Sequence, residues 1–370
     1  MCKQPGQCHG IFCILPPHIL HAIALNGSPE ERAAAIRTIA TDQSLRALRA
    51  EHRWAGAPPQ RPSSLLAAEG HKQRAIYDAR HQQSLPGALV RAEGAKPTGD
   101  AAADEAYEGL GATFDFYWNV FQRNSIDDAG LALDATVHFG QNYDNAFWNG
   151  ERMVFGDGDG KLFNRFTIAL DVIGHELTHG VTQDEARLAY SGQSGALNES
   201  VSDVFGSLIK QRASKQSAAQ ADWLIGAGLL ARGVKGVALR SMKAPGTAYD
   251  DPVLGKDPQP AHMRDYVHTL EDNGGVHINS GIPNHAFYLA ASTIGGFAWE
   301  KAGRIWYETL RDSNLRPTSG FRRFARLTVV NAGHLFGEGG AEEQAVRAAW
   351  NAVGVAVPPS AKAHSGAQSD

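Results

Sequence analysis

Cysteine is scarce in this chain of 370 residues: there are three, and Cys2, Cys8 and Cys13 all fall within the first thirteen positions. A body without cysteine is not held by disulfides, so its stability rests on a packed core. Cys2, Cys8 and His9 would suit a small metal knuckle only with a second ligand pair, and no CxxC follows. Long apolar runs are also missing, since no stretch approaches the roughly 20 residues of a membrane-spanning helix. Basic excess is missing too. The formal net charge is −4, and no basic stripe of the kind left by nucleic-acid binding runs along the chain. These absences lead to the expectation of a soluble protein, a monomer, without membrane or nucleic-acid partners. The start lacks a basic region, a long apolar run and a small-residue cleavage site in order, because Ile11 to Leu15 stops at Pro16-Pro17. The product is therefore expected to be made in the cytoplasm and, if exported, to leave by a non-classical route.

Hydrophobic residues make up 43% and charged residues 20%, an ordinary balance that supplies a sizeable core. The pattern along the chain divides it. Residues 1–53 read as a small helical unit: an apolar spacing from His18 to Leu25, then Ser28-Pro29-Glu30-Glu31 as a helix start with a reciprocal cap. One helix is expected through Ile39 and a second, short one through Leu48. Residues 54–73, rich in proline, read as a linker. From Arg74 to Leu170 the signals are of strands and turns, with one helix from Asp104 to Phe121. Gly156-Asp157-Gly158-Asp159-Gly160 is read as a turn, because the ligand series of a calcium loop is incomplete. From Asp171 to 356 the apolar period is helical, and residues 357–370 read as a disordered tail.

His175-Glu176-Leu177-Thr178-His179 carries two histidines four apart, which a helix projects from one face toward one ion. Glu176 can face the open side of that ion. Leu170, Val172, Ile173, Leu177 and Val181 make the helix apolar, and buried imidazoles there need a partner such as zinc. Asn198-Glu199-Ser200-Val201-Ser202-Asp203 opens a further helical stretch, and a chain reversal at 190–195 lets Glu199 face the histidine pair. Two histidines and one glutamate with a fourth position left to water is the ligand set of catalytic zinc. Asp203, one turn beyond Glu199, can accept the second ring N–H of a ligand histidine. In Asp272 to Gly281, paired glycines bend the chain so that His277, oriented by Asp272, can stabilise an oxyanion.

Taken with Asn145 to Gly150, Gly156 to Gly160 and Leu239-Arg240-Ser241-Met242, these stretches resemble, in order, the thermolysin family of zinc metallopeptidases from about Arg74 to Val355. Pro16-Pro17 before His18-Ile19-Leu20 resembles the short prosegment of the protealysin-like subgroup. The resemblance implies an α+β fold of two domains: β-rich over 74–170, mainly α-helical over 171–356, with the cleft between them. It implies His175, His179 and Glu199 as ligands of one Zn2+, Glu176 as general base, and Tyr190 and His277 as oxyanion donors. Asp203 would orient His175, and Asp272 would orient His277. Asn145, Ala146 and Arg240 would bind substrate backbone, with Phe163, Phe166, Val172 and Leu239 lining an apolar pocket. It further implies a neutral endopeptidase that cuts peptides and proteins before bulky apolar residues, made as a zymogen whose prosegment inhibits it until cut between Ala50 and Gln73. The paired calcium site of some members is expected to be absent, because Lys210, Leu224 and Ala227 replace acids beside Asp171 and Asp222; room for a single Ca2+ elsewhere is left.

Two rivals stand against this reading. A zinc-holding scaffold without turnover predicts loss of Glu176 or the oxyanion donors, yet all are present. A zinc aminopeptidase predicts a Gly-x-Met-Glu-Asn stretch, which is absent.

Overall fold

The computed structural model describes residues 12–54 and 69–358. The reciprocal cap forms as the sequence predicts: Ser28 N–H donates to Glu31 Oε2 (2.7 Å) and Glu31 N–H to Ser28 Oγ (3.4 Å). Helix α1 (Pro17–Asn26) ends before it and helix α2 (Pro29–Trp54) follows. The expected break near residue 40 does not occur, and α2 is continuous. Thr41 and Asp42, polar residues that could have ended a helix, are instead side chains through which α2 grips its neighbours. Thr41 Oγ1 accepts from Gln83 (3.0 Å), and Asp42 accepts from Tyr143 and Asn145.

One sheet organises the first half. Its strands are β1 (Phe12–Cys13), β2 (Arg74–Asp78), β3 (Ala88–Ala92), β4 (Leu133–Val137), β5 (Ala146–Trp148) and β6 (Arg152–Phe155), in the order β1-β5-β6-β4-β2-β3. The β2–β4 and β4–β6 pairs are parallel and the others antiparallel. Helix α3 (Ala101–Phe121), started by Asp100 as N-cap rather than at Asp104, packs on one face. The other face buries Cys13, Phe139, Tyr143, Phe147 and Val154, with Leu45 of α2 packed against them. The N-terminal unit thus supplies both an edge strand and a cover for the sheet. The expected linker, 54–73, falls mostly on residues 55–68 and the expected tail on 359–370, both outside the described residues.

The second half is helical: α4 (Leu170–Asp184), α5 (Gly192–Ala213), α6 (Asp272–Asn279), α7 (Gly281–Ile294), α8 (Ala302–Arg311), α9 (Phe321–Phe336) and α10 (Ala341–Ala352). The indole of Trp306 stacks on that of Trp350 (centroids 6.2 Å) in the core that α7 to α10 build. Helix α9 falls within the stretch expected to be helical, and Phe321, Phe324, Ala325, Thr328 and Ala332 bury one side of it at helical spacing.

The contact that positions everything after it is between α4 and α5. A Cβ on Gly206 would lie 2.3 Å from Asp171 O, and one on Gly174 would lie 2.7 Å from Ile209 Cδ1 and 3.1 Å from Gly206 Cα. Only hydrogen at both positions lets the helix backbones approach this closely. Replacing Gly206 by Ala should therefore push the helices apart, lower stability by about 1–3 kcal/mol and weaken zinc retention together. Thermal unfolding and metal content of G206A check this; an unchanged protein by both measures refutes it.

Candidate active site

Helix α4 places His175 and His179 on the face turned to α5, and α5 returns Glu199 to them. His175 Nε2 lies 3.1 Å from His179 Nε2 and 3.4 Å from Glu199 Oε2, while His179 Nε2 is 3.5 Å from Glu199 Oε1. All three residues are buried. They form the one group of three or more potential metal ligands found among the described residues.

The donor chemistry fits a cation. His175 Nδ1 bonds Asp203 Oδ1 at 2.7 Å and His179 Nδ1 bonds Asn198 Oδ1 at 2.8 Å, both acceptors, so each Nδ1 carries the proton. Both Nε2 atoms then face one another and a carboxylate, an arrangement that repels unless a metal ion, or a proton on one ring, lies between them. Tetrahedral bonds of about 2.0–2.1 Å separate ligand atoms by roughly 3.3 Å, close to the three spacings observed.

Around this cluster the other expected residues converge. Glu176 is fully buried; its Oε2 accepts from Trp148 N–H at 3.0 Å, and its Oε1 has no hydrogen-bond partner among the described residues. Burial first, then the Glu199 charge, raise its carboxyl to about 8, against the pull of His175. His277 is presented by a run of left-handed residues, Asp272, Asn273, Gly274 and Gly275. Asp272 holds it twice: its Oδ1 meets His277 Nδ1 at 2.7 Å and its Oδ2 accepts from His277 N–H at 2.9 Å. Burial would lower the imidazole pKa, but Asp272 and Glu199 overcome it and raise the value. Tyr190 OH donates to Glu199 Oε1 and lies 3.2 Å from His277 Nε2.

Arg240 joins the metal cluster to the cleft. Its Nε and Nη2 donate to the two oxygens of Asp203, each at 2.8 Å, and its Nη1 donates to Ile14 O at 3.1 Å. Ile14 and Leu15 follow β1 (Phe12–Cys13) and continue its path along the β5 edge. Ile14 N–H donates to Ala146 O (3.1 Å), Leu15 N–H donates to Asn145 Oδ1 (3.0 Å), and Cys13 O sits 3.2 Å from His277 Nε2. Every residue expected to bind substrate backbone is thus engaged by the chain's own residues 13–15. Phe163, Phe166, Val172 and Leu239 are buried in the core cluster that also contains Ile14. The Cys13 thiol packs in the cluster with Phe139 and Phe147.

Four contributors escaped the sequence reading. Asn198 and Ser202, four apart on α5, both meet His179 Nδ1 (2.8 and 3.1 Å), and their i,i+4 spacing beside Glu199 was a usable signal. Asn284 donates to Asp203 Oδ2 at 2.8 Å, and Trp148 acts through its backbone; neither has a sequence signature.

Comparison with known proteins agrees with this geometry. Residues 62–183 match the family described as "Thermolysin metallopeptidase, catalytic domain", and residues 186–355 match "Thermolysin metallopeptidase, alpha-helical domain". The chain is 58% identical over 347 residues to the extracellular metalloprotease of Pectobacterium carotovorum, covering 94% of this chain and 97% of that one. It is 43% identical to the extracellular minor metalloprotease of Serratia marcescens, covering 84% and 88%. The solved precursor of protealysin, a metalloproteinase from Serratia proteamaculans, matches with a TM-score of 0.85 and 54% identity over 93% of this chain and all of that one. The expectation of a cytoplasmic product with non-classical export is overturned by the relatives named extracellular, which indicate secretion; an apolar patch at one end was too little to decide the matter. Two matched domains spanning most of the chain, and relatives alike over nearly their whole length, place this chain in the thermolysin family of zinc metallopeptidases, as a metalloendopeptidase of the protealysin-like kind.

Proposed function

We propose that the enzyme cuts internal peptide bonds before bulky apolar residues, and that residues 1–53 are a prosegment lying in its own cleft. The observation that carries this is the path of residues 13–15. Their backbone takes the donors and acceptors of Ala146, Asn145, Arg240 and His277 in the antiparallel manner of an added strand. A substrate on the same path would present the carbonyl before the cut to His277 and the next side chain, where Ile14 now lies, to the pocket of Phe163, Phe166, Val172 and Leu239. Release by cleavage within 54–73 completes the proposal; residues 55–68 lie outside the described part.

His175, His179 and Glu199 would hold the zinc, which would supply Lewis acidity and make water a nucleophile near neutral pH. The protein groups do the rest. Glu176, with an unpartnered buried oxygen, takes the proton of the attacking water and passes it to the leaving amine. His277 and Tyr190 donate to the carbonyl oxygen as it gains charge. Asp203 and Asn198 fix the tautomers of His175 and His179. We also propose that no paired calcium binds near α5. The Lys210 ammonium lies 2.8 Å from Asp171 Oδ2 and 2.9 Å from Asp222 Oδ1, where a lysine takes the place of a divalent charge. In the glycine-rich loop, Asp157 meets His138 and Asp159 Oδ1 accepts three backbone N–H groups, the bonding of a turn.

Replacing Glu176 by Gln should leave zinc bound while turnover of an end-blocked peptide falls by roughly 10²–10⁴-fold. Retained turnover with full metal content would remove its assigned role. His277→Ala should lower kcat by about 10²–10³-fold with KM little changed, and a loss confined to KM would show substrate binding instead of oxyanion stabilisation. Ile14→Asp would bury an unpaired carboxylate in the apolar pocket, so the uncut precursor should become active on the same peptide. If its turnover stays at the parent level, residues 12–15 do not inhibit.

A further inference from the structure

We propose that Asp144 is a pH-sensitive latch for the N-terminal unit: ionisation of its carboxyl beneath helix α2 drives that helix off the catalytic body. The inference rests on residues 12–54 being a removable prosegment. Three consecutive residues form the seat of α2. Tyr143 OH donates to Asp42 Oδ1 (2.5 Å), Asp144 N–H donates to Thr38 Oγ1 (3.2 Å), and Asn145 Nδ2 donates to Asp42 Oδ2 (3.0 Å). The flanking two are thus committed to a carboxylate on α2. The middle residue is itself a carboxylic acid, 1% exposed, and neither of its oxygens meets a donor in good hydrogen-bond geometry among the described residues. A buried carboxylate without partners is among the costliest groups a protein can hold, so the seated form keeps it protonated.

The charged groups that face it do not alter this. Asp159, from the glycine-rich loop, repels a second negative charge, and Asp42 on α2 adds another acid to the seat. Arg37 on α2 is exposed, and at the rim Lys161 is paired with Glu30. Burial first, then Asp159, push the Asp144 carboxyl from 3.8 up to about 8, while the Asp159 backbone N–H and Arg37 offset part of this. With α2 gone the carboxyl meets water and returns to the ordinary range. The seated form therefore holds a proton that the released form gives up. Each unit rise in pH between about 4 and about 8 favours release by up to tenfold, and the effect levels off above that. Seating is tightest in acid as far as this group is concerned. His18, half-buried beside His277 and lowered to about 4 mainly by desolvation and then His277, acts in the opposite sense at the acid end.

The test uses the full chain carrying Glu176→Gln, so that self-cleavage does not intrude. Cys13 is covered while β1 is seated, and its alkylation, followed by peptide mass spectrometry, reports lifting of the segment. Alkylation rates are compared from pH 5 to 9 with and without Asp144→Asn. Thiol chemistry and the His18 contribution are common to both proteins and cancel in the ratio. The ratio of parent to D144N should climb toward tenfold per pH unit and flatten near pH 8. A ratio independent of pH would mean that residue 144 only packs, and would overturn the latch. Should D144N not fold, the carbon NMR titration of the Asp144 carboxyl in the parent precursor decides: protonated at pH 6 supports the latch, ionised at pH 6 overturns it. Failure of the inhibitory reading would appear separately, as unchanged peptide turnover in the Ile14→Asp precursor.

Discussion

Two helices that touch backbone to backbone set the geometry of this enzyme. Gly174, immediately before His175, and Gly206, seven residues after Glu199, remove the side chains that would otherwise hold α4 and α5 apart. The imidazoles of one helix and the carboxylate of the other then meet within 3.1 to 3.5 Å. Like-signed lone pairs at such distances need a cation, so tight helix packing becomes metal affinity. The energy of burying three polar side chains is recovered only when the ion is present.

Asp203 extends that cluster into the cleft. It receives His175 on one oxygen and Asn284 on the other, and a two-pronged Arg240 on both. Burial alone would raise its carboxyl, yet Arg240 and then His175 hold it down at about 2, so it stays ionised throughout the working range. A buried Arg–Asp pair of this kind is retained for position more than for stability. Here the same guanidinium that fixes the orienter of a zinc ligand also holds the carbonyl of the peptide in the cleft. The metal cluster and the N-terminal segment therefore share one rigid group, since Arg240 holds Asp203 and Ile14 O together.

Legibility in the sequence followed the range of each interaction. His175 and His179 were readable because a helix fixes their relation locally, and Glu199 and Asp203 because they open an equally strong helix. Asn284, 81 residues from its partner Asp203, and the Trp148 amide could not be read, since no local pattern marks them. Strand β1 is two residues long and exists only through its pairing with β5, which is itself three residues in a stretch that reads as turns. The continuity of α2 was missed for the reverse reason: Thr41 and Asp42 weaken a helix in isolation, but here their side chains are taken up by the catalytic body.

The convergence of α4 and α5 on one ion is most directly tested by X-ray absorption at the zinc edge of the metal-loaded precursor. The account predicts nitrogen and oxygen scatterers at about 2.0–2.1 Å, the imidazole signature of two histidines, and loss of one oxygen when Glu199 is replaced by Ala. A sulfur scatterer near 2.3 Å, or a spectrum indifferent to residue 199, would contradict it.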